Sequence, residues 1–343
     1  MMTLLASIVV FGLLIFIHEL GHFMVAKLMD IKVYEFSLGF GPKLLSMPRG
    51  ETSYNIRALP LGGFVRMAGM DPNEEDMNEA RGFNKKSIAQ RIAVIFAGPL
   101  MNFVLAALLL AVIFFVQGLP VPVTTVDSVL PGYPAEVAGI QAGDRIKFVD
   151  GEPVGRWEDL VQKINSRPGE VIHITLEREG LEKQVDVRTV PDESGQGKIG
   201  IVPASGYEKV GLLAAFGAGA EWTVKITLMI LTFLSNMIFG GAPADLGGPV
   251  RVVAEIGKAV EVGFLLLVEL SAFLSINLGL FNLFPIPALD GSRILFLIWE
   301  KFRGRPVDPV KENFIHLVGF GLLMLLMVVI TYNDILQIFI DPR

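Results

Sequence analysis

Cysteine is absent from all 343 residues. Disulfides and thiolate metal sites are thereby excluded, and the redox compartment leaves no mark on the sequence. Histidine is scarce, at four residues. Any metal must then be held by imidazole and carboxylate, and two histidines at helical spacing would stand out. No charge of one sign dominates: 29 Lys and Arg face 35 Asp and Glu, for a net −6. So small and mixed a balance gives no sign of nucleic-acid binding. No internal repeat is evident.

What the sequence has in excess is apolar residues, 52% of the chain with a mean hydropathy of +0.55. They gather in runs long enough to cross a bilayer, which takes about 20 helical residues. Four such runs cover residues 3–28, 92–118, 270–289 and 314–332. The first lacks a basic leading region and a small-residue cleavage site, so it reads as a span and not as a signal peptide. Lys and Arg crowd the stretch between the first two runs and the loop between the last two, which places both in the cytoplasm. Both termini and residues 119–269 then lie outside.

Residues 119–203 read as a soluble module. Short alternating segments at 171–176 and 184–188 are bounded by turns at Asp150-Gly151, Pro168-Gly169 and Glu179-Gly180, and an amphipathic helix fits 157–164. A further uncharged stretch, 226–244, is also long enough to span. Counting it would carry the end of the 270–289 run to the far side, about 30 Å from the first run's histidines. Residues 209–240 are therefore read as an external helix lying on or partly in the membrane, with Glu221 and Lys225 on its wet face.

The first span contains His18-Glu19-Leu-Gly-His22. Residues four apart on a helix share a face, so two imidazoles can hold one Zn²⁺ while the adjacent Glu19 acts on water. Ionisable groups in an apolar span are costly and need partners, which makes a chance match a poor explanation. A third ligand is required. Asp290 is the best candidate, in Asn282-Leu-Phe-Pro285-Ile-Pro287-Ala-Leu-Asp290-Gly291. Its two prolines break the backbone at membrane depth, where irregular chain survives only against protein or a wet cavity. Asn102, Asn277 and Asn282 are candidates to stabilise an oxyanion or pin an unwound substrate. His316 reads as an interfacial or buried structural residue, His173 as a strand residue, and Glu269 as solvated.

At these residues the chain resembles the site-2 protease family of intramembrane zinc proteases. The likeness is to the bacterial regulator of sigma-E proteases and their Gram-positive counterparts. The signatures are His18-Glu19-x-x-His22, the run from Asn282 to Gly291, and Gly98-Pro99-x-x-Asn102. The resemblance implies Zn²⁺ held by His18, His22 and Asp290, with Glu19 as general base. Phe36 to Pro42 and Tyr54 to Gly63 look like the family's membrane-associated β-hairpin, and 119–203 like its PDZ domain, here in one copy.

The expected fold is thus a polytopic α-helical membrane protein of about four transmembrane helices with a β-hairpin region and one inserted extracytoplasmic PDZ domain. Its parts are residues 1–118, 119–205, 206–262 and 263–343. Tyr54, Asn55, Ile56, Arg57 and Ala58 are expected to form an edge strand that holds substrate by β-addition. The strand should end near Pro60 and Gly62-Gly63, with Gly39 to Pro42 as the turn before it. The resemblance implies a bacterial plasma-membrane enzyme acting on single-pass membrane proteins, such as trimmed anti-sigma factors or signal peptide remnants, with a peptide ligand for the PDZ domain. A zinc-dependent scaffold or a metal transporter would use the same ligands. A transporter, however, should show repeated halves, and a scaffold that had lost proteolysis should lack Glu19.

Overall fold

In the computed structural model, which describes residues 1–70, 78–241 and 247–340, the first apolar run is one helix, α1 (Met2–Leu28). Its end is set locally. Asp30 adopts a left-handed φ of 52°, and the Ile31 N–H returns to the Ala26 carbonyl at 2.9 Å, satisfying a carbonyl the helix leaves open.

Two long strands follow, β1 (Val33–Arg49) and β2 (Thr52–Met67), turning at Gly50 with φ 62°. Their register is unusual. Phe36 lies opposite both Val65 and Tyr54, and Tyr54 lies opposite both Phe36 and Met47. Each strand therefore bends back and pairs twice, giving four ribbons in the order 63–67, 33–38, 53–57, 43–49. Gly39 and Gly41, at φ 88° and 83°, make the bend inside β1. The Arg57 guanidinium fixes it by donating to the Gly41 carbonyl at 2.7 Å while pairing with the buried Glu35.

The chain reverses at Gly39 to Pro42 and again before Gly63, where the sequence placed a turn and a strand end, although both reversals lie inside β1 and β2. One sequence expectation fails: Tyr54, Asn55 and Ile56 form a central ribbon with neighbours on both sides. Alternation in sequence marks a strand but does not say whether its edges are taken. The side chains are also engaged within the fold. Tyr54 packs on Phe23 of α1 and on Phe36, and Asn55 donates to the Ser37 hydroxyl at 3.3 Å. Ile56 and Ala58 are exposed; Ile56 joins Phe40, Leu44, Leu45, Met47 and Leu59 in an exposed apolar rim.

The second apolar run is α2 (Ile88–Gln117), interrupted by Pro99. From the end of α2 a separate compact unit runs over Phe115–Gly211. It contains β3 (Leu119–Val129), α3 (Pro134–Val137), β4 (Arg145–Val149), β5 (Glu152–Pro153), α4 (Trp157–Asn165), β6 (Val171–Arg178), β7 (Leu181–Arg188), β8 (Val190–Pro191), β9 (Gly197–Lys198) and β10 (Ile201–Glu208). The main sheet runs β10-β3-β4-β6-β7, with β5 on β4. The alternation in β6 buries Ile172, Ile174 and Leu176 against Leu160 and Ile164 of α4 and leaves His173 outside, 2.6 Å from Asp186.

The other unit resumes with α5 (Leu212–Phe239), α6 (Pro249–Val262), α7 (Phe264–Asn282), α8 (Asp290–Arg303) and α9 (Pro309–Ile340). Among the described residues, five helices, α5 among them, are long and apolar enough to cross a membrane, where the sequence reading counted four spans. The described residues of 206–262 include two helices, α5 and α6, where the sequence reading placed one helix and a linker. The third run is helical only to Asn282, because Pro285 and Pro287 lack the N–H groups that would continue it. The Asp334 carboxylate, buried in α9, accepts from the Gly248 and Arg251 backbone at 3.0 Å and so caps α6.

Candidate active site

Three helices meet where the motifs predicted. α1 packs on α2 through Gly21, where a Cβ would stand 2.3 Å from the Ala97 carbonyl oxygen. α7 packs on α2 through Gly279, 2.9 Å by the same measure from the Pro99 oxygen. Small residues let backbones approach in a setting where packing drives association.

His18 and His22 stack edge to face on adjacent turns of α1, their Nε2 atoms 3.2 Å apart. The Asp290 Oδ2 atom opens α8 and stands 3.1 Å from His18 Nε2 and 3.4 Å from His22 Nε2. His22 Nδ1 donates to the Val94 carbonyl at 2.9 Å, which leaves Nε2 as a lone pair. His18 Nδ1 lies 3.1 Å from the side-chain amide of the fully buried Asn102. As placed, Asn102 Nδ2 faces His18 Nδ1 while its Oδ1 is buried without a partner; turning that amide sets Oδ1 on a protonated Nδ1 and frees His18 Nε2 toward Asp290.

In that arrangement two imidazole lone pairs and a carboxylate oxygen converge with no proton between them, and Asp290 Oδ2 has no hydrogen-bond partner. Such a cluster repels itself unless a cation lies at its centre. Ligand atoms around a tetrahedral zinc with bonds of about 2.0–2.2 Å stand roughly 3.3–3.6 Å apart. The observed 3.1, 3.2 and 3.4 Å lie within about 0.2 Å of that range, slightly on the short side. His18, His22 and Asp290 therefore fit a zinc ion, and they are the one such group among the described residues.

A cavity of about 410 Å³ opens beside this cluster, lined by Glu19, Gly63, Phe64, Asn282 and Arg293 among others. Gly63 touches Glu19 so closely that a Cβ would lie 2.8 Å from its Cγ. The outer ribbon of the sheet, 63–67, is thereby laid along the cavity. Asn282 lines it too, with one amide hydrogen tied to the Leu278 carbonyl at 2.9 Å. Asn277 does not: it is half-buried, and its amide is turned back onto the Phe273 carbonyl at 2.8 Å.

Gly98, part of a signature in the sequence, leaves room for His22, since a Cβ there would stand 2.2 Å from Nε2. Two contributors were not singled out from the sequence. The Ser275 hydroxyl holds the Asn102 carbonyl at 2.8 Å. Arg293 follows Asp290 by three residues, one turn along the same face; that spacing was the available signal.

A protein-family model, Peptidase family M50, matches residues 6–326. The zinc metalloprotease RasP of Geobacillus kaustophilus is 35% identical over 98% of this chain and 99% of its own. The regulator of sigma-W protease RasP of Bacillus subtilis is 34% identical over 98% of this chain and 99% of its own. Among solved structures, the PDZ domain of an SdrC-like protein from Listeria monocytogenes matches 24% of this chain and 88% of its own at 26% identity, with a TM-score of 0.23.

Proposed function

Because the chain belongs to peptidase family M50 and is a zinc metalloprotease of the site-2 type, we propose that it hydrolyses peptide bonds within or near the transmembrane segment of single-pass membrane proteins. The observation that carries this reading is the convergence of His18, His22 and Asp290 beside Glu19, on helices apolar enough to cross a bilayer. Those three residues would hold the zinc. When bound, zinc supplies Lewis acidity, which makes water a usable nucleophile near neutral pH. The Glu19 carboxylate accepts the attacking water's proton and returns it to the leaving amide nitrogen as the C–N bond breaks. The Val94 carbonyl keeps His22 in the tautomer that offers Nε2, and the Asn102 amide, turned to set its oxygen on Nδ1, does the same for His18. Asn282 and Arg293 are the polar side chains placed to engage the scissile region.

A transmembrane helix shields its peptide bonds and must unwind before attack. The 63–67 ribbon offers the exposed backbone partners that lipid cannot. This replaces Tyr54–Ala58 as the surface for strand addition. Trimmed anti-sigma factors and signal peptide remnants are substrates of the right form. The enzyme sits in the bacterial plasma membrane, with the Phe115–Gly211 unit outside as a PDZ domain that filters substrates. The meeting of Asp290 with His18 supports a path in which α5 makes no net crossing.

The test is cleavage of a tagged single-pass substrate by purified protein. Glu19→Gln should abolish cleavage and keep zinc; Asp290→Ala should lose both. Full zinc occupancy in Asp290→Ala would remove that residue from the ligand set.

A further inference from the structure

Asp290 is delivered by a segment whose backbone is not at rest. Ala288, two residues before it, has φ 76°. The other positive-φ residues without a glycine's freedom, Asp30, Asp150 and Glu179, are acidic, whereas alanine has no side chain that bonds locally to favour this conformation. A left-handed alanine persists only where its surroundings hold it.

The hold comes from α9. The Ala288 N–H donates to His316 Nδ1 at 3.0 Å. One turn further on, Gly319 lies so close to Pro287 that a Cβ would stand 2.2 Å from the proline Cβ and 2.9 Å from its carbonyl carbon. The His316 ring also meets Phe296 of α8 edge-on at 5.7 Å. His316 therefore touches the chain on both sides of Asp290. Its Nε2 is buried without a hydrogen bond, with the Glu312 carboxylate 3.8 Å away. An imidazole that accepts at Nδ1 carries its proton on Nε2, the nitrogen facing Glu312.

We propose that His316 is a positioning residue for the third zinc ligand: its Nδ1 holds Ala288 in the left-handed conformation and so aims Asp290 at His18 and His22. This rests on the zinc-site reading above. It gives α9, whose remaining surface is largely exposed and apolar, a part in metal binding, although the helix supplies no ligand.

The experiment uses the full chain in detergent and reads the rate of zinc loss to a chromophoric chelator, together with kcat and KM on a membrane substrate. Leu at 316 removes the acceptor. Asn places an amide oxygen near the Nδ1 position, and Gln places it near Nε2. His316→Leu and His316→Gln should speed zinc loss by roughly tenfold, the lower end of what supporting partners of metal ligands show, and lower kcat with KM little changed. His316→Asn should stay within about threefold of wild type on the same scale. Asn and Gln variants losing zinc equally fast, or a Leu variant as retentive as wild type, would overturn the proposal. Should the Leu variant fail to fold, the comparison of Asn with Gln decides alone. Asp290→Ala is measured alongside. If it keeps zinc, the ligand reading fails; if it loses zinc while His316→Leu does not, only the role of His316 falls.

Discussion

Gly98→Ala adds one methyl to an apolar helix, where by propensity alone alanine is favoured over glycine by about 1 kcal/mol. The site says otherwise. The new Cβ would stand 2.2 Å from His22 Nε2 and 2.5 Å from its Cε1, against an ordinary contact of 3.4–4 Å. His22 cannot swing away freely, because Nδ1 is bonded to Val94 and Nε2 faces His18 and Asp290. Relief needs a displacement of about 1 Å, while a zinc–nitrogen bond tolerates about 0.2 Å. A misplacement of that size costs on the order of 10²-fold in rate. The overpacking cost, about 1–3 kcal/mol, is partly offset by helix propensity, so global stability should move little while zinc content and turnover collapse. Metal analysis and substrate cleavage on purified protein read both. Gly12→Ala is the control: it lies on α1 with nothing within 4 Å and should be silent or mildly stabilising. A Gly98→Ala protein with one zinc per chain and kcat near wild type would refute the steric argument.

Burial would raise the Glu35 carboxyl, but hydrogen bonds from Ser37 and Arg57 and the charges of Arg57 and Lys43 outweigh it and hold its pKa down to about 2. A depressed acid stabilises the fold above its unfolded value near 4.5 and ceases to do so as pH falls toward 2. Glu35→Gln should thus loosen the sheet at pH 7 and matter little near pH 2; hydrogen exchange of residues 33–67 that is unchanged at pH 7 would contradict this. In the Cys-free background, a cysteine at Gly195 should label from outside the cell and one at Gly304 should not, and external labelling at Gly304 would overturn the proposed orientation. Leu119 and Glu208 are cross-strand partners, about 5 Å apart as such pairs are. Residues 119–208 should therefore be replaceable by one or two glycines with zinc retained and short substrates still cut; a folded deletion inactive on every substrate would show that this unit does more than filter.

The meeting of His18, His22 and Asp290 was legible because helical period alone puts His18 and His22 on one face, and because Pro285 and Pro287 announce a broken helix before Asp290. The strands of the inserted unit were legible by alternation, as in residues 171–176. The sheet beside the site was misread for a specific reason. Alternation at 54–57 is the same for an edge ribbon as for a central one, and only the left-handed Gly39 and Gly41, which fold β1 back on itself, decide between them. Asn277 and Asn282 were equivalent in sequence; five residues of helical rotation put one on the cavity and the other off it. Gly63 and Gly98 act by what they lack: the sequence marked both positions, but only the folded contacts show that one makes room for Glu19 and the other for His22.

On the reading proposed here, the ligand set is divided unevenly, and the division has a consequence. His18 and His22 are held to one another by a single helical turn and would keep their spacing in a bare α1. Asp290 reaches them only when α7 is docked on α2, where Gly279 leaves no room for a Cβ, and the start of α8 is packed on the Leu283–Phe284 turn, where Gly291 leaves none. The site is therefore complete only in the packed bundle, and a zinc ion that prefers three ligands to two prefers the packed bundle by the same margin. Linkage makes this reciprocal: zinc bound to the docked form stabilises it by RT ln(1 + [Zn]/Kd), about 2.7 kcal/mol at a hundredfold excess over Kd. Loosening α7 or α8 must in turn weaken zinc. Glu19 and the 63–67 ribbon are anchored on the α1 side, so they stay in place when the Asp290 side loosens. Opening the bundle to admit a substrate helix on the α8 side would thus cost metal affinity, whereas opening it along the sheet would not, which favours the sheet side for entry.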